Sequence, residues 1–272
     1  MRLPTYFISH GGGPWPYLDG PFRQAFDVLE QSLIAIRKEL KEAPRAVLMV
    51  SSHWEEKGFA ISSGTTPGMV YDYFGFPEHT YHIRYAAPGA PDVAARVKDL
   101  LDAGGLHARL DPERGFDHGT FSIMKPMYPE EAMPIVQLSI DPGYGPALHL
   151  QLGRLLAPLR DEGVLIIGSG LTYHNLAELR GGGRAVEASR AFDAWLQHTV
   201  IASSPEDRTA GLIAWAQAPM ARAAHPQEDH LIPLMTVVGA AEDEAGETVY
   251  HQSDLFGGVT ASSFRFGALP PA

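Results

Sequence analysis

The chain has 272 residues, 45% hydrophobic and 19% charged, with 21 Lys and Arg against 32 Asp and Glu for a formal net charge of -11. That length supports one sizeable core or two small ones, and the acidic balance, with no cluster of Lys or Arg, argues against a nucleic-acid partner and for a small molecule. The absence of cysteine removes disulfides, thiolate metal sites, iron–sulfur clusters and cysteine nucleophiles, so that imidazole, carboxylate or carbonyl oxygen must hold any metal.

No run approaches the roughly 18 apolar residues of a membrane span, so no membrane partner is expected. The N-terminal MRLPTYFISH has neither the apolar length nor the small-residue cleavage pattern of a signal peptide, which gives a cytoplasmic expectation. Residues 3–9 (LPTYFIS) and 45–52 (RAVLMVSS) are predicted strands, the second a nearly continuous apolar run of the kind buried on both faces. Between them Phe22, Phe26, Leu29, Leu33, Ile36 and Leu40 recur at helical spacing, completing a β-α-β unit. PDVAARVKDLLDAGG is an amphipathic helix closing on glycines, and LHARLD is a short strand after it. MPIVQLSID (133–141) is the next strand, PALHLQLGRLLAPLRDEG a helix, and VLIIGSG (164–170) another buried strand.

From about residue 184 the pattern is helical, through GRAVEASRAFDAWLQHTVIA, RTAGLIAWAQA and DHLIPLMTVVGAA, before a closing strand in GVTASSFRFG. The alternation predicts the α/β class, with a central, mostly parallel or mixed sheet flanked by helices. No repeat, long linker or break in composition divides the chain, so residues 1–272 read as one domain. Stretches 62–92 and 111–130, rich in Gly, Pro, Tyr and Phe, read as long loops, where sites are usually built.

Twelve histidines are present. His10 in FISHGGGPW, His53 in LMVSSHWEE and His174 in GSGLTYHNL each follow or end a predicted strand, on the edge where an open α/β sheet forms its ligand crevice. Each alone reads equally as a capping or hydrogen-bonding residue; three on one rim point to a metal or to acid–base chemistry. GFDHGTF adds His118, beside an Asp117 that more often points elsewhere than orients its neighbour. AAHPQEDHLIPL holds His225 and His230 without the i,i+4 spacing of a zincin helix. Pro226 suits a helix start, which places His230 in a first turn and makes it the better ligand of the two. His149 and His198 lie in amphipathic helices as half-buried or solvated residues, and His82 sits in a long loop. No GxSxG elbow, correctly placed GxGxxG fingerprint or Walker sequence competes, and HGGGPW has the look of an esterase oxyanion loop without the elbow serine.

ISHGGGP, SSHWEE, GFDHGTF, GSGLTYHNL and HPQEDHLIPL, in that order across nearly the whole chain and joined by YDYFGFPEHTYHIRYAAPG and MPIVQLSID, resemble the class III, LigB-type extradiol ring-cleaving dioxygenases. The similar branch is that of the DOPA 4,5-dioxygenase-like proteins of plants and bacteria. The resemblance implies a LigB-like fold over the chain and a catechol-type, DOPA-like substrate that is opened with O2. It implies that His10, His53 and His230 bind one divalent metal, Fe(II) for activity or Zn(II) as bound. It also makes His174 the acid–base residue beside the metal, its ligand role open, and His118 a second active-site histidine contacting substrate or oxygen. Better-studied members use two histidines and a glutamate around Fe(II), whereas the third motif of this chain offers His230 with Glu228 and Asp229 beside it, a set that suits zinc equally.

In such chemistry a base must take a phenolic proton and later return one, a task that suits an imidazole near neutral pH and for which His174 is the candidate. Glycines 11–13, 168 and 170 are expected to leave room around the site. Trp15 and Tyr73 are the candidate substrate-binding aromatics, from a group that includes Tyr17, Trp54, Tyr71 and Phe74. Two other functions use the same residues: a zinc hydrolase with His174 or Glu228 as base, and a Memo-like binding protein without catalysis. The Pro- and Tyr-rich loops could equally serve a homodimer.

Overall fold

The computed structural model describes residues 2–179 and 182–269. Its strands are β1 (Thr5–Ser9), β2 (Ala46–Glu55), β3 (Phe59–Ser62), β4 (Ala108–Asp111), β5 (Ile135–Ile140), β6 (Val164–Gly170), β7 (Gly246–Leu255) and β8 (Val259–Phe266). Helices α1 (Gly20–Gln24), α2 (Asp27–Glu39), α3 (Pro91–Ala103), α4 (His118–Met127), α5 (Pro146–Leu156), α6 (Gly183–Gln197), α7 (Pro205–Ile213), α8 (Ala221–Ala224) and α9 (Ile232–Gly239) surround them.

The strands form one sheet in the order β4-β3-β5-β2-β6-β1-β8-β7. Its centre, β5-β2-β6-β1, is parallel. On one side β8 and β7 add in antiparallel fashion, and on the other β3 runs antiparallel to β5 with β4 parallel to it. The sheet is therefore mixed around a parallel core. β1 and β2 flank β6 rather than each other, so the first crossover spans one strand. This ordering aligns the carboxyl ends of three strands, with Ser9 opposite Gly170 and Ser51 opposite Ser169.

Both faces of that centre are covered, as the unbroken burial of β6 requires. A Cβ at Gly168 would lie 2.6 Å from the Pro233 carbonyl oxygen of α9. The next residue, Ser169, points the other way and donates its hydroxyl to Gly119 O of α4 at 2.6 Å, as the period-two alternation of a strand demands. Arg160, fully buried, ties the far end together by donating to Leu3 O and Ala240 O and pairing with Glu244.

Two expectations need correction, and two strands, β3 and β7, are not predicted by the sequence pattern. The helix predicted after Pro21 is two helices, interrupted at Ala25 and Phe26. The stretch 111–130 is not one long loop but carries α4, every position of which except Lys125 and Pro126 is buried; a helix without a polar face shows no amphipathic period. β3 is too short, and β7, an edge strand of sequence GETVYHQSDL, too polar to stand out. Among the described residues no helix is long and apolar enough to cross a membrane.

Candidate metal and acid–base centre

His10 directly follows β1, and its amide continues the parallel ladder by donating to Gly170 O at 3.1 Å. His53 lies on β2, two residues beyond the register with Ser169. His230 arrives from the opposite direction, in a turn before α9. It is not inside a helix begun by Pro226, as the sequence pattern predicts, because Leu231 N and Ile232 N both bond back to Glu228 O and the helix opens only at Ile232. Gly170 admits this turn: a Cβ there would stand 2.1 Å from His230 O, which instead accepts a 3.0 Å hydrogen bond from Leu171 N.

These three imidazoles converge. His53 Nε2 lies 3.2 Å from His10 Nε2 and 3.2 Å from His230 Nε2, and all three rings have their ligand atoms within 4.8 Å of one another. Burial, and after it the neighbouring imidazoles, pushes the pKa of His10, His53 and His230 well below the ordinary histidine value. Neutral rings aim lone pairs at a common point, and three such nitrogens cannot satisfy one another with protons alone. Two nitrogens each about 2.0–2.1 Å from one ion lie about 3.0–3.4 Å apart, so the spacing and donor chemistry fit one shared cation.

Carboxylates back two of the three rings. Asp229 Oδ2 accepts from His230 Nδ1 at 2.6 Å, and Asp72 Oδ2 lies 3.1 Å from His53 Nδ1. Fixing Nδ1–H in this way leaves Nε2 as the free donor to a metal. His10 Nδ1 is buried and has no partner among the described residues. Asp72 also binds His118, accepting from its backbone N at 3.0 Å and its Nδ1 at 2.9 Å. Burial opposes charge on Asp72, but these His118 bonds outweigh it and hold the carboxyl below its usual range. Burial raises Asp229 to about 6, so it too is mainly ionised at neutral pH.

His118 opens α4, and Asp117 is its N-cap. As the sequence pattern predicts, Asp117 turns away from its neighbour: it accepts from Ser51 Oγ at 2.9 Å and Thr120 N at 3.1 Å and pairs with Arg114 at 2.6 Å. His174, four residues past β6, stacks on His230 with centroids 3.3 Å apart. Its Nδ1 is 3.8 Å from Asp229 Oδ2. Burial, then the charge interaction with His118, lowers its pKa to about 4.

Four of the five histidines, His10, His118, His174 and His230, line a cleft of about 470 Å³ together with Asp72 and Tyr73, while His53 meets His10 and His230 through Nε2. Tyr73 faces the cleft with its ring 6.0 Å from His118 and donates its hydroxyl to Thr80 O. Trp15, expected to touch substrate, does not line the cleft. It is wholly buried, donates Nε1–H to His10 O at 2.8 Å and packs on Phe26, which braces the His10 turn instead. Trp54 likewise packs under Arg114. Glu228, considered as a hydrolytic base, pairs with Arg222 at 2.6 Å and is no part of the cleft wall. His225 is buried away from the cluster and bonds Thr172 O at 3.1 Å.

Sequence reasoning passed over Asp72. The signal available was a lone acid amid VYDYFGF, since a charge within an apolar aromatic run is kept only where something pairs with it. Leu171, Leu176, Leu179, Phe22, Phe76 and Phe256, which also line the cleft, carry no pattern that separates them from core residues.

Comparison with known proteins identifies the family. Residues 4–267 match the family model of the catalytic LigB subunit of aromatic ring-opening dioxygenase. A 4,5-DOPA dioxygenase extradiol of Portulaca grandiflora is 34% identical over 97% of this chain and 96% of its own, and that of Escherichia coli K12 is 30% identical over 98% and 95%. The dioxygenase tasH of Hapsidospora irregularis is 34% identical over 97% of this chain and 85% of its own. The crystal structure of an uncharacterized Escherichia coli K12 protein, JW3007, superposes with a TM-score of 0.76 at 28% identity, covering 98% of this chain and all of that one. With five histidines and two carboxylates gathered at the carboxyl edge of the sheet, the chain belongs to the LigB family of aromatic ring-opening dioxygenase catalytic subunits.

Proposed function

We propose that the protein is a metal-dependent extradiol dioxygenase that opens a catechol-type ring, with His10, His53 and His230 as the metal ligands, His174 as acid–base residue and His118 as a substrate- or oxygen-binding residue. The observation that carries this reading is the convergence of three neutral Nε2 atoms beside two further histidines that line a cleft. A ferrous ion, held by His10, His53 and His230, would supply the activation of dioxygen and of the diol that no side chain provides.

The protein's own contribution is positioning and proton transfer. His174 is neutral at pH 7 and so has a lone pair ready for the phenolic proton of an entering catechol. Once protonated, its ring faces the Asp229 carboxylate across 3.8 Å, which stabilises the imidazolium until the proton is returned. His118 has its Nδ1–H committed to Asp72, so Nε2 is the atom it presents to substrate or oxygen. Tyr73 and Phe76 line the cleft and offer aromatic faces against which a bound ring would pack.

Oxygen uptake by iron-loaded protein, with zinc-loaded protein in parallel and visible absorbance recorded, tests the assignment. Uptake with a catechol in the iron form only, accompanied by a yellow ring-opened product, is expected. A second reading, a zinc hydrolase, is favoured by the three-imidazole donor set; silence of the iron form towards every catechol would turn the assignment to it, with His174 as the remaining base.

A further inference from the structure

Asp72, Tyr73, Phe74 and Phe76 all line the cleft, and three of the four are anchored. Asp72 accepts from the His118 backbone N at 3.0 Å and from its Nδ1 at 2.9 Å. Tyr73 donates its hydroxyl to Thr80 O and lays its ring 6.0 Å from that of His118 and 6.2 Å from that of Phe121. Phe76 packs 5.7 Å from Phe22 and fills the space beside Gly13, where a Cβ would come within 2.6 Å of its ring. Between these anchors stands Phe74, which borders the same cleft and is nevertheless 89% exposed.

A single exposed apolar residue is ordinary on a protein surface. Phe74 differs in its place and its company. Among the described residues it is the most exposed of eight large hydrophobic side chains left open to water, and four of the eight, Phe22, Phe74, Leu176 and Phe256, line this one cleft. Phe22 and Phe256 stack on each other at 5.8 Å, whereas almost none of the Phe74 surface is covered. Its ring therefore retains nearly all of the gain that leaving water would bring. An exposed side chain also exchanges rotamers within nanoseconds, while Tyr73 and Phe76 on either side are held. The free element beside the histidines is one phenyl ring on a fixed stretch of chain.

We propose that Phe74 closes over the bound substrate: as a catechol enters, the Phe74 ring leaves water and packs against the aromatic ring of the substrate, in the offset or edge-to-face arrangement that aromatic pairs prefer. The inference rests on the dioxygenase reading for the identity of the ligand as a catechol. The contact is with the ring and neither with its substituent nor with the metal. It therefore serves catechols as a class and sets how tightly the ring is held, leaving metal binding and proton transfer to the histidines.

Binding of 4-methylcatechol to zinc-loaded protein, measured by calorimetry, tests this, with kcat/KM read by oxygen uptake in the iron form. Phe74→Ala is expected to weaken binding and lower kcat/KM by about tenfold, the gain from burying about half of a phenylalanine side chain. Phe74→Leu should fall in between, and Zn2+ affinity should be unchanged in both. Phe74→Trp reads the closure itself: after subtraction of the parent's signal, iodide should quench the new indole in the free protein and lose much of that effect once 4-methylcatechol is bound. Binding by Phe74→Ala within about twofold of the parent, or an indole as open to iodide with 4-methylcatechol as without it, would overturn the inference and leave the dioxygenase reading intact. Weakened binding and a shielded indole, but no oxygen uptake by the iron-loaded parent, would keep the closure and sink the dioxygenase reading; a parent protein that binds no catechol overturns both.

Discussion

Replacing Asp72 with Asn separates the charge of this residue from its shape. In the parent protein Oδ1 accepts from His118 N at 3.0 Å, while Oδ2 accepts from His118 Nδ1 at 2.9 Å and stands 3.1 Å from His53 Nδ1. An amide keeps one acceptor. If its oxygen stays on the His118 backbone N–H, its NH2 group faces both Nδ1 atoms and drives each proton to Nε2, which in His53 is the atom directed at His10 and His230. If the amide flips, the His118 N–H is left facing another donor, at a cost of about 1–3 kcal/mol. Either arrangement weakens the metal site, and loss of such a supporting carboxylate costs about 10–100-fold in metal affinity, or about 1.4–2.7 kcal/mol. Calorimetric titration of metal-stripped protein with Zn2+ reads this directly. An affinity within about twofold of the parent would refute the claim that Asp72 sets the His53 tautomer.

Other changes test separate parts of the structure. His53→Ala should lose bound metal, whereas His174→Ala should keep most of it and lose oxygen uptake; normal metal content in both variants, by atomic absorption, would end the proposed division of roles. Gly170→Ala sets a Cβ 2.1 Å from His230 O, so the His230 turn must move, with about 1–3 kcal/mol lost in urea denaturation together with weaker Zn2+ binding; unchanged stability would show that the turn yields freely. Glu244→Gln removes the anion beside fully buried Arg160, costing about 2–3 kcal/mol at neutral pH, less than a wholly buried pair because Glu244 is 31% exposed. Hydrogen bonding to Arg160 holds the Glu244 carboxyl below its ordinary value of 4.5. Its stabilisation is therefore complete above that pH and fades as pH falls through the lowered native value. The gap between parent and variant should narrow below about pH 4.5; a gap that widens there would contradict the pairing.

Local pattern was enough for the elements with a strong period or an unbroken apolar run. VLIIGSG spans residues 164–170 as β6, and PDVAARVKDLLDA forms α3 from Pro91 to Ala103. The elements that escaped detection, β3, β7 and α4, show little contrast between faces in their sequence: β3 has four residues, β7 (GETVYHQSDL) is polar on both faces, and α4 is nearly all buried. Periodicity reports a difference between two environments, and it falls silent where only one exists.

For the site, strand ends alone placed His10, His53 and His174 on one rim, because a parallel sheet directs the carboxyl ends of its central strands to the same edge. His230 and His118 come from segments more than 50 residues from one another and from the other three, and only the packing of the α9 turn against Gly170 and of α4 against Ser169 brings them in. Trp15 shows the reverse: its motif neighbours the cleft, yet its ring is buried beneath the His10 turn. Composition and residue order determined an α/β chain whose metal chemistry must rest on oxygen and imidazole donors. Tertiary structure decided which carboxylates back which rings, and which apolar residues become cleft wall rather than core. Those choices depend on side chains from distant segments meeting within about 3 Å in hydrogen-bond geometry, and no local pattern encodes such a meeting.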